Sequence, residues 1–278
     1  MKYNLMWKNK IKSSTIYLMM IILGLLFLFP FIIMVLGSLQ NKSYFSGSPS
    51  NWMPDKITLE NFKVIMRDGY IGKWFLNSMI ISIIPVLTSV ILCTLLGYIF
   101  AKKNFWGKNV IFWMFLSMIM VPSQMLVMPN YILFDKLNWI NTYKVFLIPN
   151  LWDITGFFLM RQFMLSVPDS LIEAAKLDGA SEFQTFWRVI VPLSKQPMAT
   201  ISIFSFIGHY NNLFYPLIFT TDAKMYPMSV GIASLMTQNA SFSLQMAGAV
   251  LNFLPTLIIF VSMQKYFTQG MATSGLKD

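Results

Sequence analysis

Five stretches of this chain run without a charged residue for longer than a bilayer is thick. Between Lys12 and Lys42 there are 29 consecutive uncharged residues, and between Lys73 and Lys102 there are 28. Between Lys108 and Asp135 there are 26, between Lys195 and Asp222 another 26, and between Lys224 and Lys265 there are 40. A membrane-spanning helix needs about 20 predominantly apolar residues, so each gap can hold one. Only 12% of the 278 residues are charged and 56% are apolar, roughly half the charge supply of a soluble domain. The pattern specifies an all-α polytopic membrane protein.

The net charge of +10 does not read as a nucleic-acid footprint. Such a binder clusters Lys and Arg on a soluble surface, usually with a recognisable module, whereas here they flank apolar runs and report orientation. The single cysteine, Cys93, lies inside an apolar run, so neither a disulfide framework nor a thiolate metal site is available. One histidine, His209, removes multi-His metal sites. No stretch has the glycine-rich phosphate loop, since the Gly72-Lys73 pair lacks a following Ser or Thr. The chain is therefore not expected to bind ATP itself, to carry a metal or cofactor, or to act as an enzyme.

The N-terminus carries Lys2, Lys8, Lys10 and Lys12 before the apolar run Tyr17–Ser38, which contains Pro30. That run is too long for a secretory leader and lacks a small-x-small cleavage site, so it reads as an uncleaved first span. A polar outer segment with the turn formers Ser46 to Pro49 follows. Further spans are expected at Trp74–Ala101, from Val110 into the region of Pro122 to Pro129, at Lys144–Phe163, at Met198–Thr220 and at Leu244–Met263. Six transmembrane helices in one domain over residues 1–278 put both termini in the cytoplasm. Thirteen basic residues then lie inside and eight outside, in the sense of the positive-inside rule. The fourth span is the weak one, because Asp153 near its middle costs about 2.5 to 3.5 kcal/mol of insertion. An intramembrane carboxylate normally faces a bundle interior or a wet cavity.

The segment 164–197, a cytoplasmic loop in this topology, has explicit local chemistry. Four of the eleven acids in the chain, Asp169, Glu173, Asp178 and Glu182, fall within fourteen residues. Ser170 with Glu173 reads as a capping box that opens a short helix. Gly179 stands where a helix needs a left-handed terminator. Ser181 with Gln184 reads as a second capping box, opening a helix expected to stop before Pro192. Two capped helices joined at a glycine elbow would present Leu171, Ile172, Ala174, Ala175, Leu177, Phe183, Phe186 and Trp187. Apolar content of that kind on a solvated face suits docking of another protein.

Glu173-Ala174-Ala175, followed by Asp178-Gly179-Ala180 and Ile190-Val191-Pro192, resembles the "EAA loop" of permease subunits in bacterial ABC importers, most closely the maltose-permease-like carbohydrate-uptake group. The stretch Tyr210-Asn-Asn-Leu-Phe-Tyr-Pro-Leu217 is similar to that group's Trp-Asn-x-Phe-Leu-Trp-Pro-Leu, with Tyr210 and Tyr215 in place of tryptophans. Ala247 to Pro255, Gln264 to Gly270 and Gly275 to Lys277 are similar as well. The resemblance implies a sugar-importing permease subunit in the bacterial cytoplasmic (inner) membrane, working by alternating access. Its implied partners are a second homologous permease, two ATP-binding subunits that hold ATP and Mg2+ and dock on the loop at 165–197, and an extracytoplasmic sugar-binding protein. The implied coupling residues are Glu173, Ala174, Ala175, Asp178, Gly179, Ala180, Phe183 and Pro192.

Candidate residues on the substrate path are Asp153, His209, Tyr210, Asn211, Asn212 and Tyr215. Aromatic faces stack on sugar rings and amides hydrogen-bond hydroxyls without a charge. Other readings are an importer for a polyol phosphate, an amino acid or an anion, a secondary transporter, or a membrane enzyme. A phosphate cargo would favour cations within the spans, and none contains one clear of its ends. A proton-coupled carrier would carry more buried carboxylates than Asp153, and an enzyme would need a constellation that one His and one Cys do not provide.

Overall fold

The computed structural model describes the backbone of residues 2–41, 56–67, 69–236 and 241–274, and side chains over 14–41, 56–67, 69–235 and 241–265. The expected turn at Ser46 to Pro49 and the motif Gly275 to Lys277 lie outside these residues. All regular structure among the described residues is helical.

Among the described residues, three helices are long and apolar enough to cross a membrane. The first is the stretch Ser14–Ser38 of α1 (Lys2–Ser38), which runs unbroken through Pro30. The second is α3 (Ile71–Lys102), and the third is the stretch Phe242–Lys265 of α14 (Phe242–Ser274).

The remaining expected spans are broken, where the sequence was read as continuous. The third consists of α4 (Lys108–Met118) and a second arm bent from it by 86°, which contains α5 (Val127–Lys136). The bend precedes Pro122, whose extended backbone (ψ 126°) cannot continue a helix. The fourth consists of the one-turn α6 (Lys144–Leu147), a 3-10 turn over Ile148–Asn150, and α7 (Ile154–Ser166). The chain is extended at Asp153, with φ −125° and ψ 127°. The fifth begins earlier than expected, in α11 (Lys195–Tyr210), and breaks before α12 (Phe214–Phe219). Two bent pairs pass as possible crossings, Lys108–Met118 with Ser123–Lys136 and Glu182–Leu193 with Lys195–Tyr210, and with each counted as one crossing the described helices supply up to five spans.

Two compact units divide the chain. In the unit formed by residues 70–231 and 254–278, α3 is the central post against which α7 and α11 pack. The inward face of α7 carries Phe157, Met160 and Met164, all fully buried, at the spacing of one helical stripe. Gly97 sets the approach of α3 to α7. A Cβ there would lie 2.7 Å from Met160 Cγ and 3.1 Å from the Arg161 backbone nitrogen. Rings fill the space between α3, α4 and α7, with Phe100 edge-on to Phe157 at 5.2 Å and Phe115 edge-on to Trp152 at 4.9 Å.

The opposite end of α3 is tied by polar groups. Buried Asn77 donates to the carbonyls of Lys224 and Tyr226, each at 2.9 Å, and accepts from the Tyr143 hydroxyl at 2.7 Å. Trp74 donates its indole N–H to the Ala223 carbonyl at 2.8 Å. A buried amide leaves no donor or acceptor idle at little cost only when every partner is supplied, and here the loop 222–227 supplies two of them.

In the unit formed by residues 1–69 and 232–253, Asn61 in α2 (Glu60–Arg67) donates to the carbonyls of Ser38 and Gln40 at 2.9 and 2.8 Å. Gly37 and Gly248 accept close neighbours. A Cβ on either would lie 3.0 Å from Met246 Cγ or 2.8 Å from Ile232 Cγ2, respectively. Gly248, with fully buried Ala247 beside it, makes the close approach that small residues permit.

Candidate functional site

The segment after α7 folds as two short helices, as expected, but is opened and closed differently. The first is α8 (Asp169–Leu177), with Pro168 at its N-cap and no side-chain cap. Ser170 and Glu173 therefore do not form a capping box. Pro168 already holds its backbone extended (φ −62°, ψ 134°), so the helix starts two residues earlier and Ser170 falls inside it. Asp169 occupies the first turn, where a negative charge opposes the helix dipole favourably.

The end of α8 is a Schellman motif. The Ala180 N–H donates to the Ala175 carbonyl at 2.9 Å and the Gly179 N–H to the Lys176 carbonyl at 3.0 Å, with Gly179 at φ +79°. Across the elbow, α9 (Glu182–Thr185) opens with a complete capping box. The Ser181 hydroxyl accepts from the Gln184 N–H at 3.2 Å, and the Gln184 side chain accepts from the Ser181 N–H at 2.8 Å. The second helix does not stop before Pro192. A π-helical turn over Phe186–Ile190 carries the chain into α10 (Val191–Leu193), which contains Pro192. The wider turn accommodates a residue without an N–H that would clash with an ordinary preceding turn.

Side chains of this hairpin divide cleanly. Ile172 and Phe186 turn inward and are buried, Phe186 lying 5.9 Å from the Tyr98 ring of α3. Ile172 is thus not part of the presented surface. Leu177 is 90% exposed and Phe183 71% exposed, one on each side of the elbow. Glu173, Ala174, Asp178, Gly179 and Pro192 are exposed, Ala175 and Ala180 half-buried. Glu173 makes no hydrogen bond or ion pair among the described residues, so its carboxylate is free for an external partner.

Charge holds the hairpin on the end of α3. Lys102 donates to the Val167 carbonyl and pairs with Asp169 at 2.7 Å. Glu182 receives Lys103, Lys176 at 3.0 Å and the Tyr98 hydroxyl at 3.3 Å. Hydrogen bonds from Lys103 and then Lys176 hold the Glu182 carboxyl well below the usual carboxylate range, at about 2. Sequence reading placed Lys102 and Lys103 only as orientation signals. The available clue was complementarity, since this basic pair and the acid-rich segment were assigned to the same side.

The candidate path residues fall at or beside two of the three helix breaks, those before α7 and before α12. At the first, Asp153 is the N-cap of α7, its carboxylate accepting from the N–H groups of Thr155 at 3.2 Å and Gly156 at 2.7 Å. It is thus at a helix start and not mid-helix, which lowers the cost assigned to it above. Its backbone carbonyl accepts from Cys93 Sγ at 3.2 Å, and His209 of α11 is half-buried.

At the second break stand Tyr210, Asn211, Asn212 and Tyr215. Tyr210 is 1% exposed, stacked on Phe206 at 5.2 Å. Asn211 is exposed, its amide reaching Thr256 of α14 at 3.4 Å. Asn212 accepts from the Tyr215 N–H at 3.0 Å and caps the turn into α12. Tyr215 is half-buried, its ring 4.3 Å from Phe219 and 6.4 Å from Phe146.

Comparison with known proteins identifies this architecture. The arabinooligosaccharides transport system permease protein of Halalkalibacterium halodurans is 30% identical over 277 residues, covering 96% of this chain and 99% of the relative. That of Bacillus subtilis is 31% identical over 269 residues, covering 95% of each. The sn-glycerol-3-phosphate transport system permease protein of Yersinia pestis is 28% identical over 268 residues, covering 93% of this chain and 95% of the relative. Among solved structures, a chain of a bacterial ABC transporter involved in the import of the acidic polysaccharide alginate superposes with a TM-score of 0.80. It is 22% identical and covers 94% of this chain and 98% of that one, so it is alike in fold. Residues 93–273 match the family described as binding-protein-dependent transport system inner membrane component, and the chain belongs to that family.

Proposed function

We propose that this chain is one of two membrane subunits of an ATP-driven importer that receives an oligosaccharide from an extracytoplasmic binding protein. In this reading it is a single permease domain of six spans. The crossing between the first outer loop and residues 164–197 that falls short of full length is the one broken at Asp153. Residues 164–197 face the cytoplasm, and both termini lie on that side. ATP is hydrolysed by two partner subunits that dock on the elbow, and a second homologous permease completes the path.

The observation that carries the reading is the elbow itself. Leu177 and Phe183 stand exposed on a hairpin fixed to α3 through Lys102 and Lys103. Docking contacts fall to Glu173, Ala174, Ala175, Asp178, Gly179, Ala180 and Phe183, with Pro192 and its π-turn joining the hairpin to α11. Closure of the ATPase pair moves the permease only insofar as that pair grips one arrangement of the elbow more tightly than another. Because the elbow is bound to α3 and continuous with α11, a displacement there reaches both breaks. Sugar recognition is assigned to Asn211, Asn212 and Tyr215 at the second break, with Tyr210 as the packed support beneath them, and Asp153 and His209 lining the path.

The test is site-directed cross-linking in the assembled transporter. Cysteine at Leu177 or Phe183 is expected to cross-link to the ATPase subunit with ATP-dependent yield. Native Cys93 is buried and need not be removed. No cross-link from either position in an actively transporting complex refutes the docking assignment.

A further inference from the structure

A recess of about 460 Å³ opens where the chain leaves α3 and enters α4. Its polar lining is Asn104, Lys108, Asn109 and Arg161, with Gly107 between them, and no acidic residue borders it. Gly107 is the N-cap of α4, at φ +79°, and offers no side-chain cap to the first turn; the Lys108 and Ile111 amides are taken by the carbonyls of Phe105 and Gly107, which leaves those of Asn109 and Val110 without an intrahelical acceptor. Arg161 lies over the Phe112 ring at 3.9 Å, which supports a guanidinium without neutralising it. Its Nε is buried with no hydrogen-bond partner, and no carboxylate pairs with it among the described residues. Lys108 reaches the Lys103 carbonyl at 2.7 Å and is close enough to Arg161 for the two charges to repel.

Two cations, two amide side chains and an uncapped helix start without a carboxylate form an anion receptor. A guanidinium fork and helix amides both fit phosphate oxygens. The surroundings choose the source of that phosphate. Trp106, beside the recess, is 98% exposed, and Val110 and Trp113 on the following turns are exposed as well. Exposed tryptophan belongs at the headgroup level of a bilayer, and basic pockets between helices at the cytoplasmic side take anionic headgroups.

We propose that this recess binds the phosphate of an anionic phospholipid of the cytoplasmic leaflet, with Arg161 and Lys108 as its cationic contacts and Trp106 and Trp113 against the acyl boundary. It rests on residues 102–108 facing the cytoplasm and is independent of cargo and of ATP.

The test uses the purified transporter in detergent, stripped of lipid and titrated with phosphatidylglycerol, phosphatidylcholine or inorganic phosphate, with retained lipid read by native mass spectrometry. Wild type is expected to retain phosphatidylglycerol about thirtyfold better than phosphatidylcholine, the scale set by two cations. K108Q, at a chain position outside the buried core, should reduce that preference, and K108Q/R161Q should abolish it, while R161K keeps most of it. Equal retention of the two lipids, or an unchanged preference in the double variant, overturns the proposal. Displacement of phosphatidylglycerol by millimolar inorganic phosphate would assign the recess to a free anion and overturn the lipid. Because neither ATP nor sugar enters the measurement, a failed transport reading leaves the result intact.

Discussion

Gly179 is where the elbow is most open to a quantitative test. Its φ of +79° lies in the left-handed region, which costs an L-residue about 1–2 kcal/mol. A Cβ built there meets nothing within 4 Å, so Gly179→Ala carries only that conformational cost. At about 1.4 kcal/mol per decade, the native elbow becomes roughly 5 to 30 times less favoured against local alternatives. Gly179→Pro is harsher. It fixes φ near −65° and deletes the N–H, costing about 3 kcal/mol or more, and it removes the 3.0 Å bond to Lys176. Asn tolerates the left-handed region better than Ala, although it is larger. Sugar uptake by reconstituted transporter, with ATPase activity followed in the same vesicles, should fall in the order wild type, Gly179→Asn, Gly179→Ala, Gly179→Pro, while the complex still assembles. A steric account would place Asn below Ala. That inversion, or normal uptake by the Pro variant, would refute the argument that elbow conformation couples the subunits.

Two further predictions concern charge. The Glu182 carboxyl is held at about 2, below its ordinary 4.5, so its stabilisation of the hairpin is full above that ordinary value and is lost as pH falls through the lower one. A spin-label pair between α3 and α9 should therefore report loosening only between about pH 4.5 and 2, and Glu182→Gln should loosen the hairpin at neutral pH; insensitivity to both contradicts the latch. Asp153→Ala should lower stability by about 0.5–2 kcal/mol through loss of the α7 cap, whereas Asp153→Asn, itself a good cap, should stay near wild type in thermal unfolding. If Asn unfolds as early as Ala, the charge and not the cap is the stabilising element.

What the sequence disclosed depended on the range of the interaction. Gly179 and the pairing of Ser181 with Gln184 are decided within five residues by backbone geometry, and both stand as read. Ser170 was misread because Pro168, two residues earlier, already supplies the extended entry that a cap would otherwise fix. Uncharged runs gave α1, α3 and α14 because length and hydropathy are local quantities. The breaks at 119–122, 151–153 and 211–213 were hidden for the opposite reason, since apolar composition says that a segment can lie in a bilayer and not that it crosses as one helix. Pro122, Asp153 and the paired Asn211 and Asn212 were the visible signals. Lys102 and Lys103 could be read only as topology markers, because their partners Asp169 and Glu182 lie 67 and 79 residues away.

The breaks give the polar residues their chemistry. An unbroken helix satisfies its own amides and leaves an embedded Asp or Asn needing an outside partner. At the start of α7, the freed N–H groups of Thr155 and Gly156 meet the Asp153 carboxylate instead, and at the start of α12 the freed N–H of Tyr215 meets Asn212. The pairing works in both directions, because each side chain stabilises the break that accommodates it. Replacing Asn212 with Leu would strengthen the apolar run and yet is expected to destabilise the chain, since the turn into α12 would lose its acceptor at a cost of about 1 kcal/mol. Thermal unfolding of Asn212→Leu beside Asn212→Asp, which keeps the acceptor, checks this. A Leu variant as stable as wild type would mean that the break is imposed by packing alone.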